Sequence, residues 1–181
     1  MTRYFIPFGH SEFISESFLI RDALLLKTLK QVQGDKKRKN NNIIKILMSN
    51  YKLFTDGGAR GNPGPAGIGG VLFKDKEQVD QFSEYLGEAT NNQAEYKALL
   101  KGLELALENK VEDLDCYLDS ELVVKQLKKE YKVKNEQLAS LFVKAWNLSL
   151  NFKKITFNHV TRDQNTIADA LANQAMDKAA K

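Results

Sequence analysis

Residues 51–74 read YKLFTDGGARGNPGPAGIGGVLFK, and this stretch sets the fold that the chain is expected to adopt. Its two ends, 51–55 and 68–74, carry the aromatic and aliphatic residues that favour strands. Between them, 57–64 concentrates glycine, asparagine and proline, which is typical of a loop. The stretch therefore predicts a hairpin-like pair of strands, with Asp56 at the end of the first one.

The rest of the chain continues as periodic segments separated by turn residues. Further strands are predicted at 78–86, 114–118 and 155–160, and helices at 92–109, 120–130, 135–150 and 164–178. The resulting order is β-β-β-α-β-α-α-β-α. This alternation predicts an α/β domain over residues 51–181.

Four carboxylates lie in separate elements of this pattern: Asp56, Glu95, Asp119 and Asp169. Mg²⁺ prefers anionic oxygen ligands, and two such ions beside a phosphate require several carboxylates converging from different elements. The set therefore predicts a metal site in which the same four acids are the catalytic residues. Three of them also have simpler explanations. Asp56 stands in Asp-Gly, a common turn dipeptide, Asp119 could cap a helix, and Asp169 could be placed where the helix dipole favours an acid.

Glu95 is the acid that local structure explains least well. Positions three and seven beyond it are Ala98 and Gly102, and positions four and eight are leucines, so the carboxylate lies on the apolar face of its helix. A charge there is costly unless something pairs with it. The small Ala98 and Gly102 would let the helix approach the sheet closely and bring Glu95 near Asp56.

The acids occur in four motifs: FTDGGARGNPGP at 54–65, TNNQAEY at 90–96, YLDSELVV at 117–124 and NTIADALAN at 165–173. In this order and context they resemble the type 1 ribonuclease H family, over about residues 51–176. The resemblance implies a ribonuclease H-like fold, a five-stranded mixed sheet with helices on both faces. It also implies an endonuclease that hydrolyses the RNA strand of RNA–DNA hybrids with two Mg²⁺ ions, or Mn²⁺ as an alternative. The implied products carry 5′-phosphate and 3′-hydroxyl ends.

The resemblance also suggests which residues contact the hybrid. RNA is distinguished from DNA at its 2′-hydroxyl, and amides suit this contact because they both donate and accept. Asn62, Asn91 and Asn92 match residues of the minor groove, while Thr90 and Asn135 match a pocket for a DNA phosphate. Turn and helix-cap roles stay open for these asparagines. The full expected set is Gly57, Asn62, Thr90, Asn91, Asn92, Gln93, Asn135 and Arg162.

Two features of the family are abbreviated in this chain. The segment LKKEYK at 127–132 stands where the family often has a basic, tryptophan-rich protrusion, and it contains no tryptophan. His159 comes too early to match the family's loop histidine, which Arg162 is expected to replace in part. The pattern HVTRDQNTIADALAN at 159–173 resembles the compact, archaeal-like branch. The alternatives are a relative that also cleaves double-stranded RNA and a non-catalytic nucleic-acid-binding module.

Composition is that of a globular protein of the cytoplasm. The 181 residues are 43% hydrophobic, and their apolar runs are far shorter than a membrane span requires. The one cysteine, Cys116, cannot form an internal disulfide and is expected to be buried in a strand. We expect a cytoplasmic monomer that binds an RNA–DNA hybrid and no membrane.

Residues 1–50 form an extension outside the predicted domain. They carry nine Lys or Arg against four Asp or Glu, whereas residues 51–181 carry eighteen against nineteen. A short helix is predicted at 17–33 and a basic linker at 36–42, and we expect the segment as a whole to be poorly ordered. The linker is either a tether or a contact to phosphates. A third interpretation is that translation starts at Met48.

Overall fold

The structure is a computed structural model that describes residues 51–180. The extension 1–50, with its predicted helix and basic linker, and Lys181 lie outside the described residues. The elements are β1 (Tyr51–Ala59), β2 (Gly64–Lys74), β3 (Glu77–Ala89), α1 (Asn91–Glu108), β4 (Asp113–Leu118), α2 (Glu121–Leu127), α3 (Glu136–Ser149), β5 (Lys154–His159), a 3-10 turn (Arg162–Gln164) and α4 (Thr166–Ala179). The predicted order β-β-β-α-β-α-α-β-α is therefore confirmed.

The strands form one five-stranded sheet in the order β3-β2-β1-β4-β5. β1 pairs antiparallel with β2, and β2 antiparallel with β3, whereas β1–β4 and β4–β5 are parallel. The predicted mixed sheet is confirmed, with β1 at its centre. Because β1 and β4 are parallel neighbours, their carboxyl ends meet at the same edge of the sheet, where open α/β sheets place their ligands.

The loop predicted over 57–64 is shorter than expected: residues 60–63 form the connection, whereas 57–59 and Gly64 belong to strands. β1 continues to Ala59, β2 begins at Gly64, and the pairing of β1 with β2 extends to Ala59 opposite Ala66. Glycine serves close packing here, because a Cβ on Gly57 would lie 2.2 Å from a backbone atom of Ala94 in α1. Glycine inside a strand often marks such an approach of another backbone.

Helices cover both faces of the sheet, as predicted. Successive strand residues point to opposite faces, and Gly57 faces α1 whereas Gly58 faces Met176 of α4. On the α4 face, a Cβ on Gly67 or Gly69 would lie 2.5 or 2.4 Å from the backbone of α4. The missing side chains let α4 lie directly on β2, which fixes its first turn beside the end of β1.

The main core lies on the other face, under α1, α2 and α3. Gly102 of α1 sits where a Cβ would lie 2.8 Å from Thr55 Cγ2, so the predicted close approach of this helix to β1 is confirmed. Cys116 is fully buried in β4, as expected. Tyr96 is the largest fully buried side chain, and its hydroxyl donates to Gln126 at 2.7 Å. Burying each large apolar side chain contributes about 1.5–3 kcal/mol.

The helix predicted over 120–130 is shorter than expected. α2 spans Glu121–Leu127, because the Ser120 side chain accepts the N–H of Val123 as the N-cap and Lys129 takes a left-handed φ of 63°. The third strand is longer than its predicted 78–86.

Within residues 51–180, no helix is long and apolar enough to cross a membrane.

Candidate active site

The four predicted acids come from four elements and meet at the carboxyl edge of β1 and β4. Asp56 lies on β1, Asp119 directly follows β4, Glu95 lies in α1 and Asp169 in the first turn of α4. The charges of Asp119 and Asp169 act on Asp56, and those of Asp119 and Asp56 act on Glu95. The structure therefore brings together acids that are up to 113 residues apart in sequence.

Burial and mutual repulsion perturb two of these acids strongly. The pKa of Asp56 is raised from 3.8 to about 7, first by burial and then by the charges of Asp119 and Asp169. The pKa of Glu95 is raised from 4.5 to about 8, again first by burial and then by Asp119 and Asp56. Groups with such shifts cluster at functional sites, where a positive charge can compensate the repulsion.

Simple structural roles do not account for Asp56, Asp119 or Glu95. Asp56 lies within a strand and not in a turn, and Ser120, rather than Asp119, caps α2. Asp169 is in the first turn of α4, where the helix dipole favours a carboxylate. Glu95 accepts a hydrogen bond from Asn91 at 2.8 Å through Oε1, but its Oε2 is buried without a partner.

The carboxylates are held by donors from neighbouring residues. Asp119 Oδ1 accepts from Asn165 Nδ2 at 3.1 Å, and Asp169 Oδ1 accepts from Arg162 Nε at 3.0 Å. Across residues 51–180, no three His, Cys, Asp or Glu side chains are already clustered so as to hold a metal ion. The donor set is nevertheless one that a hard cation prefers, and the unpartnered Glu95 Oε2 offers it a ligand atom.

The predicted DNA-phosphate pocket consists of helix N-termini in this structure. Thr90 caps α1 in a capping box with Gln93, and Asn135 caps α3 by accepting the N–H of Leu138 at 3.1 Å. Gln93 Nε2 donates to Gln137 Oε1 at 2.7 Å, which links the two N-termini. Two adjacent helix N-termini favour an anion.

The predicted minor-groove amides lie between the β1–β2 connection and α1. Asn62 Oδ1 accepts the backbone N–H of Asn91 at 3.2 Å, and Asn91 Oδ1 accepts that of Ala59 at 3.3 Å. Asn91 thus touches Glu95 on one side and β1 on the other. Asn92 is half-buried in the first turn of α1, and Gly57 is buried against this helix.

Arg162 and His159 differ in their relation to the acids. Arg162, in the 3-10 turn, forms an ion pair with Asp169, and that hydrogen bond raises the pKa of the guanidinium. The positive charge also acts on Asp56 and Asp119. His159 ends β5 with an exposed side chain, beside Glu121.

A basic segment that begins in the last turn of α2 has aromatic partners that sequence reasoning missed. Residues 125–134 hold five lysines and one glutamate. Lys129 Nζ lies 4.1 Å from the ring centroid of Trp146 in α3, and Lys125 Nζ lies 4.8 Å from that of Tyr131. The tryptophan absent from this segment is therefore supplied by the next helix. No signal in the sequence pairs the two.

Asn165 is the second residue that sequence reasoning missed. It stands directly before α4, so its type indicates only a helix cap. In the structure its amide contacts Asp119 and the backbone of β1 instead.

The comparisons with known proteins agree with this fold. A family described as reverse transcriptase-like matches residues 54–175. The crystal structure of ribonuclease H1 from Halobacterium salinarum is 41% identical, with a TM-score of 0.70, over 71% of this chain and 98% of that one. LC11 ribonuclease H1, isolated from compost, was solved with an RNA/DNA hybrid and is 42% identical, with a TM-score of 0.69, over 72% of this chain and 99% of that one. This chain therefore belongs to the type 1 ribonuclease H family of enzymes.

Some relatives are much longer than the matched domain. A Mycobacterium tuberculosis relative described as a bifunctional protein is 43% identical over 131 residues, which are 71% of this chain and 36% of that protein. The chain thus spans about a third of the length of this relative.

Proposed function

We propose that this protein is an endonuclease that hydrolyses the RNA strand of RNA–DNA hybrids with two divalent ions. The observation that carries the proposal is the convergence of Asp56, Glu95 and Asp119, with raised pKa values on two of them and an unpartnered buried oxygen on Glu95. Buried acids that repel one another are costly without a cation. A 42% identical structure in complex with an RNA/DNA hybrid supports the substrate class.

Four acids would hold the ions, which we propose to be Mg²⁺, with Mn²⁺ as an alternative. Two such ions would activate a water and stabilise the departing 3′ oxygen, which leaves 5′-phosphate and 3′-hydroxyl ends. Asp56 and Asp119, at the adjoining strand ends, would supply two of the ligands. Glu95 would contribute its free Oε2, and Asp169 would exchange Arg162 for an ion. Because two of these acids have raised pKa values, cation binding releases protons and strengthens with pH.

The remaining predicted residues would select and place the duplex. Asn62, Asn91 and Asn92 are beside the acids and would contact the 2′-hydroxyl groups of RNA. The N-termini of α1 and α3, capped by Thr90 and Asn135 and bridged by Gln93, would bind a phosphate of the DNA strand. Gly57 keeps the backbone of β1 close to α1, and the released Arg162 would contact a substrate phosphate.

The segment 125–134 would track the phosphate backbone. Its lysines give it a net charge of +4, in a domain where the rest of residues 51–181 sums to −5. Phosphate contacts supply most of the salt-dependent affinity for nucleic acids. Tyr131 and Trp146 restrict Lys125 and Lys129 by contact, so less side-chain entropy is lost on binding.

We propose that the protein acts as a cytoplasmic monomer.

The test is cleavage of one labelled sequence presented as hybrid, duplex RNA and duplex DNA, with Mg²⁺ or Mn²⁺. The proposal expects rapid cleavage of the RNA strand of the hybrid alone. Equal cleavage of duplex RNA would favour the broader relative. Binding of the hybrid without cleavage in either metal would make the protein a binding module and reject the proposal.

A further inference from the structure

Asn165 joins three of the elements that carry the acids. Its side-chain Nδ2 donates to the backbone oxygen of Thr55 at 3.0 Å and to Asp119 Oδ1 at 3.1 Å. Its backbone oxygen accepts the N–H of Asp169 at 3.1 Å. Thr55 immediately precedes Asp56, so one residue contacts β1, the end of β4 and the first turn of α4.

The Asn165 side chain does not serve as the cap of its helix. Asn165 is the N-cap residue of α4, but its side chain makes no capping hydrogen bond. The other asparagine N-cap of the domain behaves differently, because the Asn135 side chain accepts the N–H of Leu138. The Asn165 side chain is therefore directed at the sheet. Stabilisation of the helix end does not explain this orientation.

The position demands a donor and leaves an acceptor unused. Asn165 is 1% exposed, and its Oδ1 is buried without a hydrogen-bond partner. The carbonyl of Thr55 and the carboxylate of Asp119 both only accept, so the NH₂ group must face them and the oxygen must face away. A buried oxygen without a hydrogen-bond partner destabilises the fold. This destabilisation is tolerated where the two bonds donated by the same side chain serve a purpose other than stability.

We propose that Asn165 is a positioning residue that fixes Asp119 relative to the Thr55–Asp56 peptide and so keeps the acids at ligand spacing. The proposal rests on the proposed function, since it concerns the same acids. By sharing its NH₂ group, Asn165 prevents the Asp119 carboxylate from rotating away from Asp56. Groups that orient metal ligands in this way typically affect metal affinity or activity by about 10- to 100-fold.

The test uses the full chain with Asn165→Ala and with Asn165→Ser, whose shorter side chain cannot reach both acceptors. The matched control is Asn173→Ala on the same helix, because Asn173 donates only to the backbone oxygen of Asp169 at 2.9 Å. Mn²⁺ affinity is measured by calorimetry without substrate. kcat and KM for the hybrid, and the thermal melt, are then measured at saturating metal.

Both Asn165 variants should melt cooperatively, bind Mn²⁺ about 10- to 100-fold more weakly and lose kcat, while KM for the hybrid changes by less than about twofold. Asn173→Ala should resemble the wild type. Mn²⁺ affinity and kcat within twofold of the wild type would overturn the proposal. Equal losses in Asn173→Ala, or failure of both Asn165 variants to fold, would show a general structural role instead. If the wild type does not cleave the hybrid, the proposed function fails, but the Mn²⁺ comparison still decides the role of Asn165.

Discussion

Replacing Glu95 with glutamine should stabilise the metal-free protein above neutral pH. An acid whose pKa is raised by folding contributes stability below its unfolded pKa and loses it as pH rises through the folded value. For Glu95 this window runs from 4.5 to about 8. The difference corresponds to ~5 kcal/mol at 1.36 kcal/mol per pH unit. Burial is the first cause of this shift and repulsion by Asp119 and Asp56 the second, and the repulsion is shared among the three acids, so we expect about 2 kcal/mol for this single change.

The assay is a thermal melt in EDTA at pH 4.5 and at pH 8.5. Glutamine keeps the acceptor for Asn91 and places an NH₂ group where Glu95 Oε2 has no partner. At pH 8.5 the variant should melt several degrees above the wild type, since about 2 kcal/mol shifts the midpoint by roughly 5–10 °C in a domain of this size. At pH 4.5 the difference should nearly vanish. Mg²⁺ should stabilise the wild type more than the variant.

The control is Glu104→Gln. Glu104 is an exposed acid on the same helix, so its replacement should change the melting temperature little at either pH. If Glu95→Gln melts at or below the wild-type temperature at pH 8.5, the reasoning is refuted. The destabilisation expected from burial and from the neighbouring charges would then be absent.

Four further predictions concern Asp169, Arg162, Lys129 and the extension. In single-turnover assays Asp169→Asn should keep part of the activity. Arg162→Ala should slow cleavage by about tenfold or less, because Arg162 is exposed and would contact a substrate phosphate without holding an ion. Lys129→Gln should raise KM and lower the slope of log affinity against log salt by about 1, with kcat unchanged. A protein that begins at Met48 should fold, give the same products and keep its metal dependence, as judged by cleavage gels and circular dichroism; loss of folding would show that the extension belongs to the core.

The order of elements could be predicted from sequence because it depends on local patterns, whereas the convergence of the acids was implied by the resemblance to the ribonuclease H family. Periodicity set the helices and strands, and the small Ala98 and Gly102 indicated how closely α1 approaches the sheet. The glycine-rich end of β1 could not be predicted, since its glycines match turn statistics. What makes them strand is the packing of α1 against Gly57, a contact between residues 37 positions apart.

The contacts that support the acids were harder to predict for the same reason. Asn165 looks like a helix cap in sequence, and only the tertiary structure shows its bonds to Thr55 and Asp119. The pairing of Lys129 with Trp146 likewise depends on how the segment after α2 turns back along α3. Residues that act through long-range contacts leave no periodic signal.

The most direct test of whether the converging acids form the active site is single-turnover cleavage. It is measured for Asp56→Asn, Glu95→Gln and Asp119→Asn. Each variant should lose more than the ~100-fold typical of a residue that only supports a ligand, while its affinity for the hybrid in Ca²⁺ stays close to that of the wild type. Glu104→Gln should cleave normally and leave 5′-phosphate and 3′-hydroxyl ends. Turnover near the wild-type rate in any one of the three variants would contradict the assignment.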